Sequence, residues 1–565
     1  MTGIEDLLHE RLAAAFASVA GAPTDPALRR SRRADFQADG ALSVARRLGR
    51  APREVAAEVV AVADLADLST VDVAGPGFLN LTVRDDVLGA LLAGVAGDVR
   101  LGVPRTAEPQ TVVVDYSGPN AAKEMHVGHL RSTILGDALG RLLEHLGHTV
   151  IQQNHVGDWG TPFGMLIEHL ITVGETEAVH ALSAGDLSGF YQAARSTFDA
   201  DPAFRERSRR RVVLLQSGDA ATLRLWRALV AGSDTYFQSV YELLGVRLAT
   251  ADRDGESRYA DRLGAVVDEL DRLGLLRESG GALCAFPAGF TGRDGAPLPL
   301  IVRKSDGGFG YAATDLATIR HRLAELSATR LCYVVGAPQR QHLAMVFQLA
   351  REAGWLTGAA SAEHVGFGSV LGADGRMLRT RAGTSVTLAS LLTESVRRAA
   401  ALVDADDPAL ARAVGIGAVK YADLSADRGK DYVFDYDRML AFTGDTAPYL
   451  QYARTRILSI FRRAGLTAAP GVDTLVVADP AERALALDLL AFGATLADVA
   501  ETARMHHLTG YLFRLASAYT TFYETCPVLA APEPTRTSRL VLCDLTARTL
   551  ATGLDLLGIP APDRM

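Results

Sequence analysis

Two histidines and a lysine lie close together in the segment PNAAKEMHVGH, residues 119–129. Side chains three residues apart on the first turn of a helix face the same side, so His126 and His129 can both donate hydrogen bonds to one polyphosphate. Gly128 places no side chain between them, which leaves room for a flat adenine ring against the backbone. The spacing predicts a nucleotide-phosphate site, and a pair of ordinary histidines at a helix start is the alternative.

The elements predicted on either side place this segment at the amino end of a helix. The apolar run TVVVD at 111–115 is typical of a buried parallel strand, and apolar residues continue at helical spacing from Leu130 to Leu146. Gly147 can end this helix, and a second strand begins at Thr149. In such a βαβ unit the free N–H groups and the positive end of the helix dipole favour bound phosphate. This context favours the nucleotide site.

The segment resembles the signature of the class I aminoacyl-tRNA synthetases, and its full sequence resembles the form found in the arginyl-tRNA synthetases. Further blocks similar to blocks of that family follow in the family's order. They are QNHVGDWG from residue 153, YAATDLA from 311, YVVGAPQRQH from 333, DYVFD from 431, TAPYLQYAR from 446 and GIPAPDRM from 558. The resemblance therefore covers almost the whole chain.

The resemblance implies a multidomain α/β protein. Residues 1–105, with an amphipathic helix at the start and an alternating strand at 78–83, are similar to an N-terminal α+β addition domain that contacts the tRNA elbow. Residues 106–398 are similar to a Rossmann-like class I catalytic domain with a parallel sheet, interrupted by a helical insertion at about 170–250. Residues 399–565 are similar to an all-α anticodon-binding bundle.

Length and composition agree with this class. A chain of 565 residues is too long for one core, and 48% hydrophobic with 22% charged residues is typical of a globular protein. No run reaches the ~18 to 20 apolar residues of a membrane span, and the first residues lack a basic secretory start, so we expect a cytoplasmic protein. The net charge of -8 argues against a uniformly basic nucleic-acid binder but not against a local basic face.

The spacing of the cysteines predicts neither a zinc site nor a disulfide framework. The four cysteines are Cys284, Cys332, Cys526 and Cys543. They lie far apart and form no CxxC pair, so they indicate reduced core residues.

The resemblance implies an arginine–tRNA ligase. Such an enzyme activates L-arginine with ATP, with Mg²⁺ on the phosphates and no protein-bound metal, and transfers the arginyl group to the 3′ end of tRNA-Arg. A cytoplasmic monomer without membrane association is the expected form. Two alternatives stay open: a catalytically impaired tRNA-binding paralogue, and an active paralogue that serves specialised metabolism or inhibitor resistance. Departures from the family pattern at Gly118, Pro162 and Asp445 keep the first alternative open, although none removes a group that the chemistry requires.

The resemblance implies two phosphate-binding segments. The ATP contacts that it assigns are His126, Gly128, His129 and Thr380. The second segment is the loop 374–383, where LRTR at 378–381 stands in the place of the lysine-rich motif of most class I enzymes. Arg379 and Arg381 can clamp phosphates in a bidentate way. Lys123 lies where many family members carry a lysine that replaces the missing first lysine of the loop, and the sequence leaves the division of work between these cations open.

The arginine site is expected on the helix that begins near residue 311. Asp315 follows Tyr311 by four residues, so on a helix both side chains face one pocket, with the carboxylate paired to a guanidinium. By resemblance these two residues hold arginine together with Gln339, Asn120 and Asp115. The alternatives are a surface pair for the first two residues and a turn cap for Asp115.

The tRNA contacts implied by the resemblance lie at both ends of the chain. They are Phe36, Gln37, Tyr449, Tyr452, Tyr523 and Met565. Phe36 can stack on an exposed base and Gln37 can hydrogen-bond it, or Phe36 can be a core residue. Tyr449 and Tyr452 lie three apart beside Arg454 and Arg456, which predicts a stacking surface with adjacent cations. The basic run at 207–211 is more typical of a solvated face than of a contact with the acceptor stem.

Overall fold

The computed structural model describes residues 3–31, 33–174, 187–378, 386–403 and 407–565. Three groups of elements follow one another along these residues. None of the described helices is long and apolar enough to span a membrane. All four cysteines are buried and unpaired, as expected for reduced core residues.

An antiparallel sheet flanked by helices forms the N-terminal group. Its elements are α1 (Ile4–Ala20), β1 (Leu28–Arg30), β2 (Phe36–Ala38), α2 (Gly40–Leu48), α3 (Pro52–Val62), β3 (Ser69–Ala74), β4 (Phe78–Val83) and α4 (Asp85–Gly97). The strand order is β1-β2-β4-β3, with antiparallel pairing throughout. Leu8, Leu12 and Phe16 of α1 are fully buried in the core of this group. The amphipathic helix and the alternating strand expected here are confirmed.

A parallel sheet and its surrounding helices form the central group. Its elements are β5 (Thr111–Asp115), α5 (Val127–His145), β6 (Thr149–Gln153), α6 (Thr161–Val173), α7 (Leu187–Ala200), α8 (Pro202–Gln216), α9 (Ala220–Leu244), α10 (Leu263–Arg272), β7 (Leu276–Ser279), β8 (Ala282–Ala285), β9 (Leu300–Arg303), α11 (Tyr311–Ala324), β10 (Arg330–Tyr333), α12 (Arg340–Glu352), β11 (Ser361–His364), β12 (Val370–Leu371) and α13 (Leu388–Ala400). The parallel order β11-β10-β5-β6 contains the predicted βαβ unit, β5-α5-β6.

The apolar run of β5 is explained by burial on both faces of the sheet. Val112 and Val114 pack into one hydrophobic cluster, while Val113 packs into another on the opposite face. Continuous apolar strands are typical of parallel sheets covered on both sides. The carboxyl end of β5 is thereby held rigidly where the chain enters the loop that precedes α5.

The insertion expected at about 170–250 is helical where it is described, in α7, α8 and α9. Part of its basic run is structural. Arg207 and Arg211 of α8 both pair with Glu168 of α6, at 2.9 and 3.3 Å. These two arginines fix the insertion to the rest of the central group, while Arg209 and Arg210 are exposed, as expected for a solvated face.

Helices dominate the C-terminal group. Its elements are α14 (Pro408–Leu424), β13 (Tyr432–Val433), α15 (Tyr436–Met439), α16 (Ala447–Ala464), α17 (Pro480–Leu490), α18 (Phe492–Thr502), α19 (Met505–Thr525) and α20 (Thr535–Leu556). The short strand β13 lies in the DYVFD block and pairs in parallel with β12 of the central group. This block therefore supports the strand that leads into the predicted phosphate loop.

Buried charges tie α5 to the C-terminal group. Arg131 of α5 lies 3.3 Å from a carboxylate oxygen of Asp423 on α14, and neither side chain is more than 1% exposed. Three residues earlier, the buried Lys420 donates hydrogen bonds to the carbonyl oxygens of Leu244 (3.2 Å) and Gly558 (2.7 Å). The Arg131–Asp423 pair thus anchors the helix whose first turn carries the histidines to α14, and Lys420 holds α14 to the end of α9 and to the C-terminal segment.

Candidate active site

A cavity of about 410 Å³ opens where the carboxyl ends of β5 and β10 meet the amino ends of α5 and α11. Ligands of open α/β sheets bind in crevices at this edge of the sheet. The predicted site residues that line the cavity are Asp115, Gly128, Tyr311, Asp315 and Gln339. The cavity therefore brings together residues that were predicted separately for the nucleotide and for arginine.

The imidazoles of His126 and His129 lie against each other at the start of α5, with ring centroids 4.1 Å apart. Nδ1 of His126 accepts the N–H of Gly128 at 3.0 Å, and Nδ1 of His129 accepts the N–H of His126 at 3.1 Å. Because each Nδ1 accepts a hydrogen bond, a neutral ring carries its proton on Nε2. The backbone thus sets both rings so that Nε2–H can donate to a bound anion.

Both rings are held neutral near pH 7. Burial and the charge of His126 lower the pKa of His129 to about 4. Partial burial and the charge of Lys123 lower the pKa of His126. A Cβ atom at Gly128 would lie 2.7 Å from the His126 ring, so any other residue there would displace the ring from this position. Neutral donors at the positive end of a helix suit a polyphosphate.

Lys123, the predicted mobile cation, is exposed in the loop before α5 and contacts the insertion. Its Nζ lies 4.5 Å from the centroid of the Tyr191 ring on α7, a cation–π distance. The same ammonium is close enough to His126 to lower the pKa of that ring. The structure therefore places Lys123 beside the phosphate-binding turn and gives it a partner that the sequence analysis missed.

Three predicted residues, Arg379, Thr380 and Arg381, lie outside the described residues, but both flanks of their loop are described. On the first flank, the N–H of Leu378 donates to the carbonyl oxygen of Val370 on β12 at 3.2 Å. On the second, the N–H of Val127 donates to the carbonyl oxygen of Val386 at 3.0 Å. The chain thus returns from the loop directly beside the first residue of α5.

Asp315 and Tyr311 line the same cavity from adjacent turns of α11. The carboxylate of Asp315 is hydrogen-bonded to Nε2 of His342 at 2.6 Å. Tyr311 is 76% exposed at the cavity, and Gln339 is exposed on the loop after β10. The arrangement offers a partly buried carboxylate flanked by a phenol ring and an amide.

Asp115 lines the cavity, but an arginine of the chain already neutralises its carboxylate. Nη2 of Arg322 donates to Asp115 Oδ2 at 2.8 Å and lies 3.4 Å from Asp254 Oδ2. Its Nε donates to Gln153 at 2.6 Å, and its guanidinium lies 4.9 Å from the Tyr333 ring centroid. Asp115 thus binds the fully buried Arg322 at the edge of the cavity, and its contact with arginine stays a prediction.

Two further charged residues of the cavity were missed in the sequence analysis. Burial raises the pKa of Glu256 to about 7. Burial alone would lower the pKa of His155, but the facing Asp254 carboxylate, 3.6 Å away, and the charge of Asp115 raise it to about 9. His155 lies in the QNHVGDWG block and could have been singled out there. Glu256 follows the insertion and lies in none of the motifs above.

Asn120 is not among the described residues that line the cavity. It is exposed and lies over Gly157, whose N–H donates to the carbonyl oxygen of Pro119 at 3.1 Å. A Cβ atom on Gly157 would lie 2.4 Å from Oδ1 of Asn120. In this structure Asn120 packs the loop after β5 against the loop after β6, and its contact with arginine stays a prediction.

The addition-domain residues Phe36 and Gln37 are both buried. Phe36 is 1% exposed, so its ring is not available to a tRNA base, and the core alternative holds. Gln37 is 7% exposed, with its amide nitrogen donating to Asn80 at 2.9 Å and its oxygen accepting from Arg29 at 2.7 Å. The expectation of base stacking on Phe36 is therefore corrected, because the apolar face of β2 turns it inward.

The aromatic residues predicted near the anticodon form one surface with a cation. Arg456 lies 5.8 Å from the ring centroid of Tyr452 and 5.2 Å from that of Tyr523. Tyr449 is half-buried and packs against Phe513, and Met565 packs on the edge of the C-terminal core. Tyr452, which is 42% exposed, is therefore the strongest candidate for stacking, with the half-buried Tyr523 beside it on the same cation.

Comparisons with protein families cover most of the chain. Residues 92–436 match the model described as tRNA synthetases class I (R), catalytic domain. Residues 450–565 match the DALR anticodon binding domain, and residues 4–83 match the arginyl tRNA synthetase N terminal domain.

Full-length relatives and solved structures give the same result. The chain is 56% identical over 552 residues to an arginine–tRNA ligase of Thermobifida fusca, with 96% of each chain covered. It is 48% identical to an arginine–tRNA ligase of Streptomyces coelicolor, with 100% of each covered. It is similar to the arginyl-tRNA synthetase structures of Plasmodium falciparum (TM-score 0.85, 27% identity, 100% of each chain) and Thermus thermophilus (TM-score 0.81, 28% identity, 99% and 100%).

Proposed function

The chain belongs to the class I arginyl-tRNA synthetases and is an arginine–tRNA ligase, and we propose that L-arginine and ATP react in the cavity between α5 and α11. One observation carries this assignment: the same cavity meets the phosphate-binding turn around Gly128 on one side and the carboxylates of Asp315 and Glu256 on the other. The first suits a polyphosphate and the second a guanidinium.

In the activation step, the arginine carboxylate attacks the α-phosphate of ATP and pyrophosphate leaves. Negative charge grows on the departing phosphates, so donors already in place stabilise the transition state most. His126 and His129 supply Nε2–H donors that remain neutral, and Lys123 supplies a cation beside them. Mg²⁺ enters with the ATP phosphates, whose charge it offsets.

Arginine is selected by charge at the other end of the cavity. The guanidinium forms a two-pronged hydrogen bond with Asp315, and Tyr311 covers it from the adjacent helical turn. Glu256 adds a second carboxylate that gains its charge when the guanidinium arrives, because burial raises the pKa of the empty-site carboxyl to about 7. An uncharged analogue cannot supply a countercharge to these groups and is rejected.

Transfer requires the 3′-terminal ribose hydroxyl of tRNA-Arg to attack the arginyl carbonyl and release AMP. The C-terminal surface of Tyr452, Arg456 and Tyr523 is suited to stack on anticodon bases. Residues outside the rigid core of the addition domain contact the tRNA elbow. The enzyme acts as a monomer in the cytoplasm.

The direct test is aminoacylation by the purified protein with ATP, labelled arginine and tRNA-Arg. Labelled tRNA should form only with all three substrates present, and AMP should appear in equal amount. tRNA binding without charged product would favour the catalytically impaired paralogue. The comparisons give that alternative no support, since the full-length relatives carry the ligase name.

A further inference from the structure

Asp315 has a partner within the empty pocket. Nε2 of His342, on α12, lies 2.6 Å from Oδ2 of Asp315, on α11. The two side chains are 29% and 23% exposed, so the contact is partly shielded from water. Both residues line the cavity. The carboxylate that the proposed function assigns to the substrate guanidinium is therefore already hydrogen-bonded to an imidazole.

The surroundings of this pair are acidic or neutral apart from one buried ion pair and His155. The titratable and charged groups facing the cavity with His342 are Tyr311 and Asp315 from α11, Glu256 from the segment after α9, His155 from the loop after β6, Tyr333 from β10, Tyr116 from the loop after β5 and Asp115 from β5, the last paired with Arg322. The neighbouring Arg340 and Gln341 of α12 are exposed. An imidazolium at position 342 is thus the nearest compensation for the charge on Asp315.

We propose that His342 is a positioning residue for arginine selection: its imidazolium holds the Asp315 carboxylate in the empty pocket and releases its proton when the substrate guanidinium takes over the pairing. The proposal rests on the proposed function, in which Asp315 receives the guanidinium. His342 acts through Asp315 and takes no part in the reaction at the carboxylate and phosphate.

The physical reason is that one carboxylate does not stabilise two adjacent cations. The hydrogen bond to Asp315 raises the pKa of His342 in the empty site, although partial burial opposes this. When a guanidinium reaches Asp315, repulsion between like charges favours the neutral imidazole, which still donates through Nε2–H. Arginine binding therefore releases a proton, and its affinity falls as the pH drops below the pKa of His342 in the empty site.

This linkage also contributes to selectivity. A guanidinium replaces the charge of the imidazolium and keeps Asp315 paired. Citrulline, the neutral urea analogue, cannot replace that charge, so it has to compete with an intact ion pair. Discrimination against citrulline should therefore be greatest where His342 is protonated.

The test is calorimetric titration of the full-length protein with arginine between pH 5.5 and 8.5, each pH in two buffers of different ionisation enthalpy. Loss of arginine affinity should approach ~tenfold per pH unit for each proton displaced. His342→Gln keeps a donor to Asp315 but cannot carry a charge. It should match the wild type within ~threefold at pH 8.5, lose most of the decline at low pH, and release fewer protons.

Two control variants separate the effect of His342 on arginine binding from the effects of Glu256 and Asp315. Glu256→Gln removes the other carboxyl that titrates in the cavity, so the difference between wild type and His342→Gln should persist in that background. Asp315→Asn should weaken arginine binding by ~10² to 10³; normal binding by this variant would refute the proposed function, whatever His342 does. Equal proton release and pH dependence in wild type and His342→Gln would overturn the present proposal while leaving the proposed function intact.

A direct measurement avoids any doubt about folding of the variants. An NMR titration of the wild-type imidazoles, with the His342 signal assigned by its absence from His342→Gln, should show a lower pKa for His342 when arginine is bound. An unchanged or higher pKa with arginine would also overturn the proposal.

Discussion

The guanidinium of Arg131 lies 3.3 Å from the carboxylate of Asp423 in a fully buried contact between α5 and α14. Arg131 also donates from Nη1 to the carbonyl oxygen of Lys430 at 2.8 Å and lies over the Tyr432 ring at 5.3 Å. The helix that begins with the two histidines is therefore joined to the segment that supports β12. Rigid support of this kind is what a preorganised site requires.

Removing one partner of this pair should be strongly destabilising. Asp423→Asn leaves the Arg131 charge buried without its countercharge, at a cost of about 3–5 kcal/mol. The double variant Arg131→Met with Asp423→Leu should recover much of the loss. The measurement is the urea midpoint, with Asp437→Asn as a control because that residue is 93% exposed. A wild-type midpoint for Asp423→Asn would contradict the assignment.

Asp315→Asn should raise the KM for arginine by ~10² to 10³. The substrate guanidinium loses the partly buried carboxylate that pairs with it, at a cost of about 3–5 kcal/mol. Steady-state aminoacylation at saturating ATP and tRNA measures this. The matched control is Asp306→Asn, in the exposed turn before α11, which should leave the KM unchanged. An unaltered arginine KM in Asp315→Asn would show that the pocket has been misassigned.

His126→Ala and His129→Ala should each slow adenylate formation by ~10² while arginine binding stays nearly intact, since these donors act mainly in the transition state. Because the pKa of His129 is lowered to about 4, the ring stays neutral from pH 6 upward, and its titration should not appear in the rate in that range. Single-turnover activation measures both effects, with the exposed His9→Ala as control. A defect confined to tRNA affinity would exclude the phosphate role.

Lys123→Ala should slow activation by ~10² to 10³, comparable to the loss of an oxyanion donor. Lys123→Arg should also be impaired, since a planar guanidinium follows moving phosphates poorly. Leu378→Lys, which places a lysine in the second loop, should partly restore the Lys123→Ala enzyme. Single-turnover activation with tRNA present is the measurement, and near-normal Lys123→Ala would mean that the arginines of the loop suffice.

Tyr191 should affect the activation step only through its cation–π contact with Lys123. Tyr191→Phe keeps the ring face and should resemble the wild type, whereas Tyr191→Leu removes about 0.5–2 kcal/mol of cation–π contact and should slow activation by ~2- to 30-fold. In the Lys123→Ala background the Tyr191→Leu change should have no further effect. Additive losses in that double variant would exclude the proposed contact as the cause.

The pair of His155 and Asp254 should make stability depend on pH. Since the pKa of His155 is raised from 6.5 to about 9 in the folded protein, its contribution is complete below pH 6.5 and is lost as the pH rises through 9. The loss should be about 3 kcal/mol. His155→Gln should remove this part of the pH dependence of the urea midpoint, and an equal slope in both proteins would argue against it.

The sequence predicted the elements and residues whose signals are local. The phosphate-binding turn, the βαβ unit and the i,i+4 pair Tyr311 and Asp315 each lie within one short segment, and periodicity or wording identifies them. The division into an addition group, a catalytic group and a helical group rested on the family resemblance of these segments, taken in order along the chain.

The remaining parts of the site depend on contacts between distant segments. Arg322 and Asp115 are separated by 207 residues, and no local pattern indicates that they meet. His342 and Asp315 are separated by 27 residues on different helices. Phe36 illustrates the opposite error: its block suggested a base contact, but the inward face of β2 buries the ring.

Asp115 and Asp254 hold the guanidinium of Arg322 beside the proposed substrate cavity. The protein therefore has two places that bind a guanidinium group: this buried carboxylate pair and the Asp315 end of the cavity. Guanidinium ions added as a denaturant resemble both the substrate side chain and this buried residue. Guanidinium chloride should therefore inhibit the enzyme at concentrations that leave the fold intact, and its unfolding curve would combine ligand binding with denaturation. Urea, which carries no charge, is the denaturant that reports stability alone.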